Sequence, residues 1–269
     1  MIALGTVLSI LKLVEMPYGG SVTLASMLPI VIVAYRHGTK MGMGAGVVFA
    51  VIQQLLGLKN LSYFTTWQSV VAVILLDYML AFAAVGLGGI FRGRLTFDGE
   101  SLRERQYTEL SLGMLTVCLI RYIFHTVAGA TVWAGLSIPT EAALIYSIGY
   151  NATYMIPETV ISVAVSLWLG GIMDFTRRIP VRFSADTEKA DTGIGVIRRF
   201  LPAVSAFTVT AAVITDAILI SPHLQNPEDG SFTFSLLSSV NWVAVIIVSA
   251  VALAIALASL IISRIRYAK

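Results

Sequence analysis

Cysteine and histidine are scarce in this chain, and charge is thin. A single cysteine, Cys118, lies in an apolar run, which excludes a disulfide framework and a cysteine metal cluster. The three histidines, His37, His125 and His223, fall in separate segments without HExxH-type spacing, and no Ser/His pattern accompanies them, so an intramembrane enzyme finds no support. Charged residues make up 12% of the chain; soluble domains carry roughly 25%. No Lys/Arg run interleaves with aromatics, so the formal charge of +3 does not mark a nucleic-acid surface. The first apolar run lacks a basic start and an A-x-A end, so no cleavable signal is read there.

What the chain has in excess is apolar surface. Of its 269 residues 57% are hydrophobic and the mean hydropathy is +0.84, which predicts an all-α, polytopic membrane bundle. At ~20 residues per span the sequence offers about eight. The first, Met1 to Val14, reaches only roughly 21 Å of a ~30 Å core, and is expected to be either a tucked helix or, preferably, one whose natural start lies a turn or two earlier. The second (Leu24 to Tyr35, with Pro29) is also short. The third (41–58) carries Gly38, Gly42 and Gly46 on one i+4 row, a spacing that lets helix backbones approach closely. The fourth runs from Trp67 to about Phe91, the fifth and sixth over roughly 108–134 and 142–173, and the last two over about 199–220 and 237–263. This divides the chain into a six-helix unit (1–173), a polar linker (174–197) and a two-helix membrane hairpin (198–269) of no assigned role.

Basic residues fall in alternate loops: Arg36 and Lys40, Arg92 to Arg105, Arg177 to Arg199, and Arg264 to Lys269. The positive-inside rule makes these loops and both termini cytoplasmic. The loops at 15–23 (EMPYGGSVT), 58–66 and 135–141 then face outward.

The polar residues inside the spans converge on that outer side. Arg121, His125, Gly129 and Trp133 are spaced i, i+4, i+8 and i+12 on one helical row. Gly129 is read as leaving room for a flat ring between His125 and Trp133. Asp77 and Tyr78 stand among Val, Ile and Leu, and Tyr146, Asn151 and Glu158 sit in the sixth span. Ionisable groups at such depth are costly and mark a functional site. Asp77 is expected to neutralise a bound cation or to pair with Arg121, and Arg121 to pair with Asp77 or Glu158. Asp77, Arg121, His125 and Glu158 also suit the proton relay of a secondary carrier for a small cationic solute.

Three blocks carry a resemblance: MPYGGSVTLASMLPI with YRHG (16–30 and 35–38), LLDYMLAFAAVGLGGIFRG (75–93), and RYIFHTVAGATVWAG with YSIGYNATYMIPE (121–135 and 146–158). Together they resemble the thiamine-specific substrate-binding components (S components) of energy-coupling-factor (ECF) transporters, over residues 1–173. The resemblance implies a prokaryotic plasma-membrane subunit that captures thiamine from outside. Such a subunit has no cofactor of its own and docks on a module of one transmembrane subunit and two ATPases that use ATP. It further implies that Asp77 stands where the family has an acidic contact, usually the longer glutamate. Tyr78, His125, Trp133, Tyr146 and Asn151 match ligand-contacting positions, and Tyr18, Gly19 and Gly20 a lid over the site. Trp133 can stack on a cationic ring, worth ~0.5–2 kcal/mol. Arg121 fits a cationic ligand less easily, unless a phosphate is present. The family docks its transmembrane partner through small residues of the first helix. Here Ala3 is followed by Val7 in place of a second alanine, so Gly5 and Ser9 stand as the substitute docking pair. The last two spans lie outside the family's six-helix pattern.

Overall fold

The computed structural model describes residues 1–94, 101–134, 136, 143–183 and 235–264, with scattered positions between 201 and 224. It is a helical membrane bundle with two short two-stranded sheets. Among the described residues five helices are long and apolar enough to cross a membrane: Thr39–Leu56, Trp67–Gly89, Leu102–Thr131, Ala143–Ile172, and Trp242 onward.

α1 (Ile2–Ile10) turns Gly5 and Ser9 inward and Ala3, Leu4, Val7 and Ile10 outward. A Cβ on Gly5 would meet the Ser26 carbonyl at 3.0 Å, and Gln53 Nε2 donates to Ser9 Oγ at 2.8 Å. The pair expected to dock a partner therefore packs within this chain, and the outward row of α1 is the opposite one. After α1 the chain forms an antiparallel hairpin, β1 (Lys12–Glu15) and β2 (Ser21–Thr23). The expected first span, Met1 to Val14, thus ends as a helix at Ile10, and its last residues belong with the expected 15–23 loop to this hairpin.

α2 (Leu28–His37) is apolar on every side and nearly all of it is buried. Ten residues rise ~15 Å, so it is a core helix rather than the expected second span. Pro29 is harmless in its first turn, where no intrahelical N–H partner exists. Gly38, at φ 89°, makes the corner into α3 (Thr39–Leu56). Gly42 and Gly46 then let α3 lie directly on α4, where a Cβ on Gly46 would come within 2.7 Å of the Ala83 carbonyl. Gly38 belongs to the turn and not to this seam.

α4 (Trp67–Gly89) starts at Thr66, whose hydroxyl accepts from Ser69 N–H at 3.3 Å. Its middle, Ile74–Leu80, is wound as a π-helix. α5 (Leu102–Thr131) opens on a reciprocal capping box between Ser101 and Glu104. α6 (Ala143–Ile172) runs antiparallel to it. Gly170 meets Tyr107 at one end, and Gly129 meets Ser147 at the other. Below α6 a tight hairpin, β3 (Met173–Asp174) with β4 (Val181–Arg182), is stitched to α5 by buried Gln106, whose Oε1 accepts from Phe175 N–H at 2.8 Å. Arg36 reaches the same end, donating to the Arg178 carbonyl at 2.7 Å.

The described positions from 201 to 220 are helical, and α7 (Trp242–Arg264) follows. Ser249 Oγ donates to Asp216 Oδ2 at 2.6 Å, tying the two. Most of the expected linker, from 184 on, and most of the 135–141 loop lie outside the described residues.

Candidate binding site

Asp77 sits in the π-helical stretch of α4, facing α5. One carboxylate oxygen is 2.9 Å from His125 Nδ1, and the other accepts the Trp133 indole N–H at 2.8 Å. A π-turn changes the helix phase, and such turns recur at functional sites. Here it brings Asp77 against two of the three polar or aromatic members of the α5 row. Arg121, the third, lies one turn further down and pairs with Glu158.

Trp133 follows the end of α5 and is buried among aromatic rings. Phe64 stands edge-on at 4.7 Å, with Tyr63 at 6.0 Å and Tyr18 at 6.4 Å. Tyr18 reaches the group from the β1–β2 turn, where it holds a left-handed φ of 64° and touches Tyr63 at 5.5 Å. Tyr146, on α6, packs into the same cluster. A carboxylate bonded to the indole of an aromatic cluster is an environment for an organic cation, with ring surface and a counter-charge close together.

The remaining expected residues support this group more than they face it. Tyr78 turns toward the end of α3, where its hydroxyl accepts from Asn60 Nδ2 at 3.1 Å. Asn151 is buried on α6; its amide donates to the His125 carbonyl at 3.2 Å and the Ser147 carbonyl at 2.9 Å, and its Oδ1 accepts from Tyr154 OH at 2.6 Å. So Asn151 fixes the backbone that carries His125, and its polar atoms are engaged. Gly129 does not open a slot for a ring. A Cβ there would collide with Ser147 Oγ, so the glycine is what lets α5 and α6 touch. Arg121 is turned away from Asp77: its Nη1 lies 3.9 Å from Glu158 Oε1, and its guanidinium sits 4.4 Å over the Phe82 ring.

Tyr18, Gly19 and Gly20, the residues expected to form a lid, pack against Tyr63, Asn60 and α6 respectively. Gly20 N–H donates to Tyr150 OH at 3.3 Å. Gly19 has φ 106°, and a Cβ there would lie 2.5 Å from Asn60 Nδ2, the same amide that holds Tyr78. Outside the membrane, Glu15 bridges Lys12 at 2.7 Å and Lys59 at 3.6 Å. The Lys12 hydrogen bond, with both lysine charges, holds its carboxyl below the ordinary range.

Tyr63, Phe64, Asn60, Tyr150 and Tyr154 are site neighbours that the sequence reading passes over. Tyr146, Tyr150 and Tyr154 do recur at i+4, a signal for one aromatic face of α6. Among the described residues no group of three or more His, Cys, Asp or Glu could hold a metal ion.

The chain is similar to known proteins over the part that builds this site. The model of the family described as thiamine transporter protein matches residues 1–174, ending at strand β3. The thiamine transporter ThiT of Bacillus subtilis (strain 168) is 32% identical over 152 residues, which is 56% of this chain and 75% of that protein. No solved structure matches. With well over half of its length matched and its long apolar helices in place, the chain belongs to the thiamine transporter protein family and is a multi-pass membrane protein.

Proposed function

We propose that this protein is the thiamine-capturing S component of an ATP-driven ECF transporter, working in a prokaryotic plasma membrane. The observation that carries the reading is Asp77, held between His125 and the Trp133 indole under an aromatic lid. Thiamine is a permanently cationic heteroaromatic with an exocyclic amine. Asp77 supplies the counter-charge or accepts from the amine, and Trp133, Tyr18, Tyr63 and Phe64 supply ring surface. His125 Nδ1 fixes the orientation of that carboxylate.

The site opens to the outside. The arginines that mark the inner face gather at the opposite end of the bundle from the lid, where Arg36 holds the 177–178 backbone. Both termini are then cytoplasmic. Energy comes from partners, one transmembrane subunit and two ATPases, and no cofactor is held by this chain.

Thiamine titration of the purified protein, followed by tryptophan fluorescence, tests the reading. Saturable quenching at sub-micromolar thiamine is expected, with most of the amplitude lost in Trp133→Phe. Absence of saturable binding sinks the reading. A proton-coupled carrier is the second reading, favoured by the succession of ionisable groups Asp77, His125, Arg121 and Glu158. It requires uptake into liposomes containing this chain alone, driven by a pH gradient.

A further inference from the structure

Below the site a second set of buried polar groups runs from His125 to the lid. His125 Nε2 is 3.5 Å from Arg121 Nη2, and Arg121 Nη1 is 3.9 Å from Glu158 Oε1. That same Glu158 oxygen accepts the Thr23 hydroxyl at 2.9 Å, and Thr23 Oγ1 lies 2.8 Å from Ser26 Oγ. Thr23 ends strand β2, the inner strand of the lid hairpin. Thr23 is 5% exposed, Arg121 4% and Glu158 3%, so solvent does not compete with these contacts.

The arginine is sparsely bonded for a buried cation. It has five N–H donors, yet its other neighbours are the Met27 sulfur at 2.7 Å and the Phe82 ring face, and its Nε has no partner among the described residues. Glu158 is thus the carboxylate that keeps the charge tolerable, and removing it would leave an uncompensated buried charge. One Glu158 oxygen therefore holds both the guanidinium beside the site's histidine and the hydroxyl of the lid strand. Movement at either end is felt at the other.

We propose that Glu158 is a positioning residue that, through Arg121 and Thr23, ties the lid strand to His125 and sets how long a bound ligand is retained. It touches no ligand itself. The proposal rests on the thiamine-capture reading for its ligand and on the geometry alone for the tie.

Thr23→Val, which keeps the shape and removes the hydroxyl, and Thr23→Ser, which keeps the hydroxyl, separate bonding from packing. The readouts on the full chain are release of radiolabelled thiamine into excess unlabelled thiamine, and hydrogen exchange of residues 12–23 without ligand. Thr23→Val is expected to speed release about tenfold, the scale of one hydrogen bond to a charged group. It also speeds exchange in 12–23, while Thr23→Ser stays within about twofold of wild type on both. Glu158→Gln is expected to follow Thr23→Val. Wild-type behaviour of Thr23→Val overturns the tie, and so does a Thr23→Ser variant as fast as Thr23→Val. If wild type binds no thiamine, the capture reading fails, and exchange in 12–23 of the ligand-free variants still decides the tie.

Discussion

At Gly129 the two longest helices meet, and a side chain there would occupy the place of Ser147 Oγ. Gly129→Ala is expected to lower stability by about 1–3 kcal/mol, the usual cost of overpacking. Gly171→Ala on the same helix pair is the control, since its Cβ would meet only Tyr107 Cδ1 at an ordinary 3.9 Å. Thermal unfolding of both variants in detergent checks the difference, and equal midpoints would count against a close helix contact at 129. Asp77, His125 and Trp133 were legible in the sequence because polar groups stand out in an apolar run. The role of Gly129 was not, because spacing cannot say whether a glycine faces a ligand or a neighbouring helix. Arg121 illustrates the same limit. Its partner depends on the rotation of three helices, and it met Glu158 rather than Asp77.

The β1–β2 turn is an element whose two glycines have separate reasons. Gly19 needs its positive φ, whereas Gly20 is small because Tyr154 lies where its Cβ would be, 2.7 Å from Cδ1. Gly20→Ala is expected to push the hairpin off α6 and break the bond to Tyr150. Hydrogen exchange should rise in residues 12–23 and stay unchanged in α5 and α6; an unchanged hairpin would refute this packing. The outer ion pairs of Glu15 add little, being exposed. With its carboxyl lowered, that small contribution is full at neutral pH and lost as pH falls through the lowered value. Helix existence was readable from hydropathy, and α4 and α6 fall close to their expected bounds, whereas α5 begins at Leu102, six residues before its expected start, because its first turns are polar. The β1–β2 hairpin was not, because seven strand residues between two helices give too short a period to read.

For the whole molecule, the family match ends at 174 while the chain continues through α7. The additional segment is not isolated from the site. Ile220 and Leu237 pack against the cluster formed by Met16, Val22, Tyr154, Met155 and Ile161, which underlies the lid. Deleting 198–269 is expected to lower the unfolding midpoint by a few degrees. Because no polar contact of Asp77 among the described residues comes from that segment, the thiamine Kd should stay within about threefold. A larger loss of affinity would show that the six-helix part cannot hold the site unaided. The sequence marked the two added spans by their apolarity alone. Their contact with the lid cluster is made by ordinary aliphatic side chains that carry no pattern.

The π-wound stretch of α4 holds one residue more than a regular helix of the same rise needs. Asp77 owes its aim to that surplus, so the aim is inherited as a length and not as a residue type. Loss of one residue upstream would turn everything between Trp67 and Asp77 by about 100° relative to the rest of the helix. An insertion or deletion in this helix, more than a point change, would therefore re-aim the carboxylate.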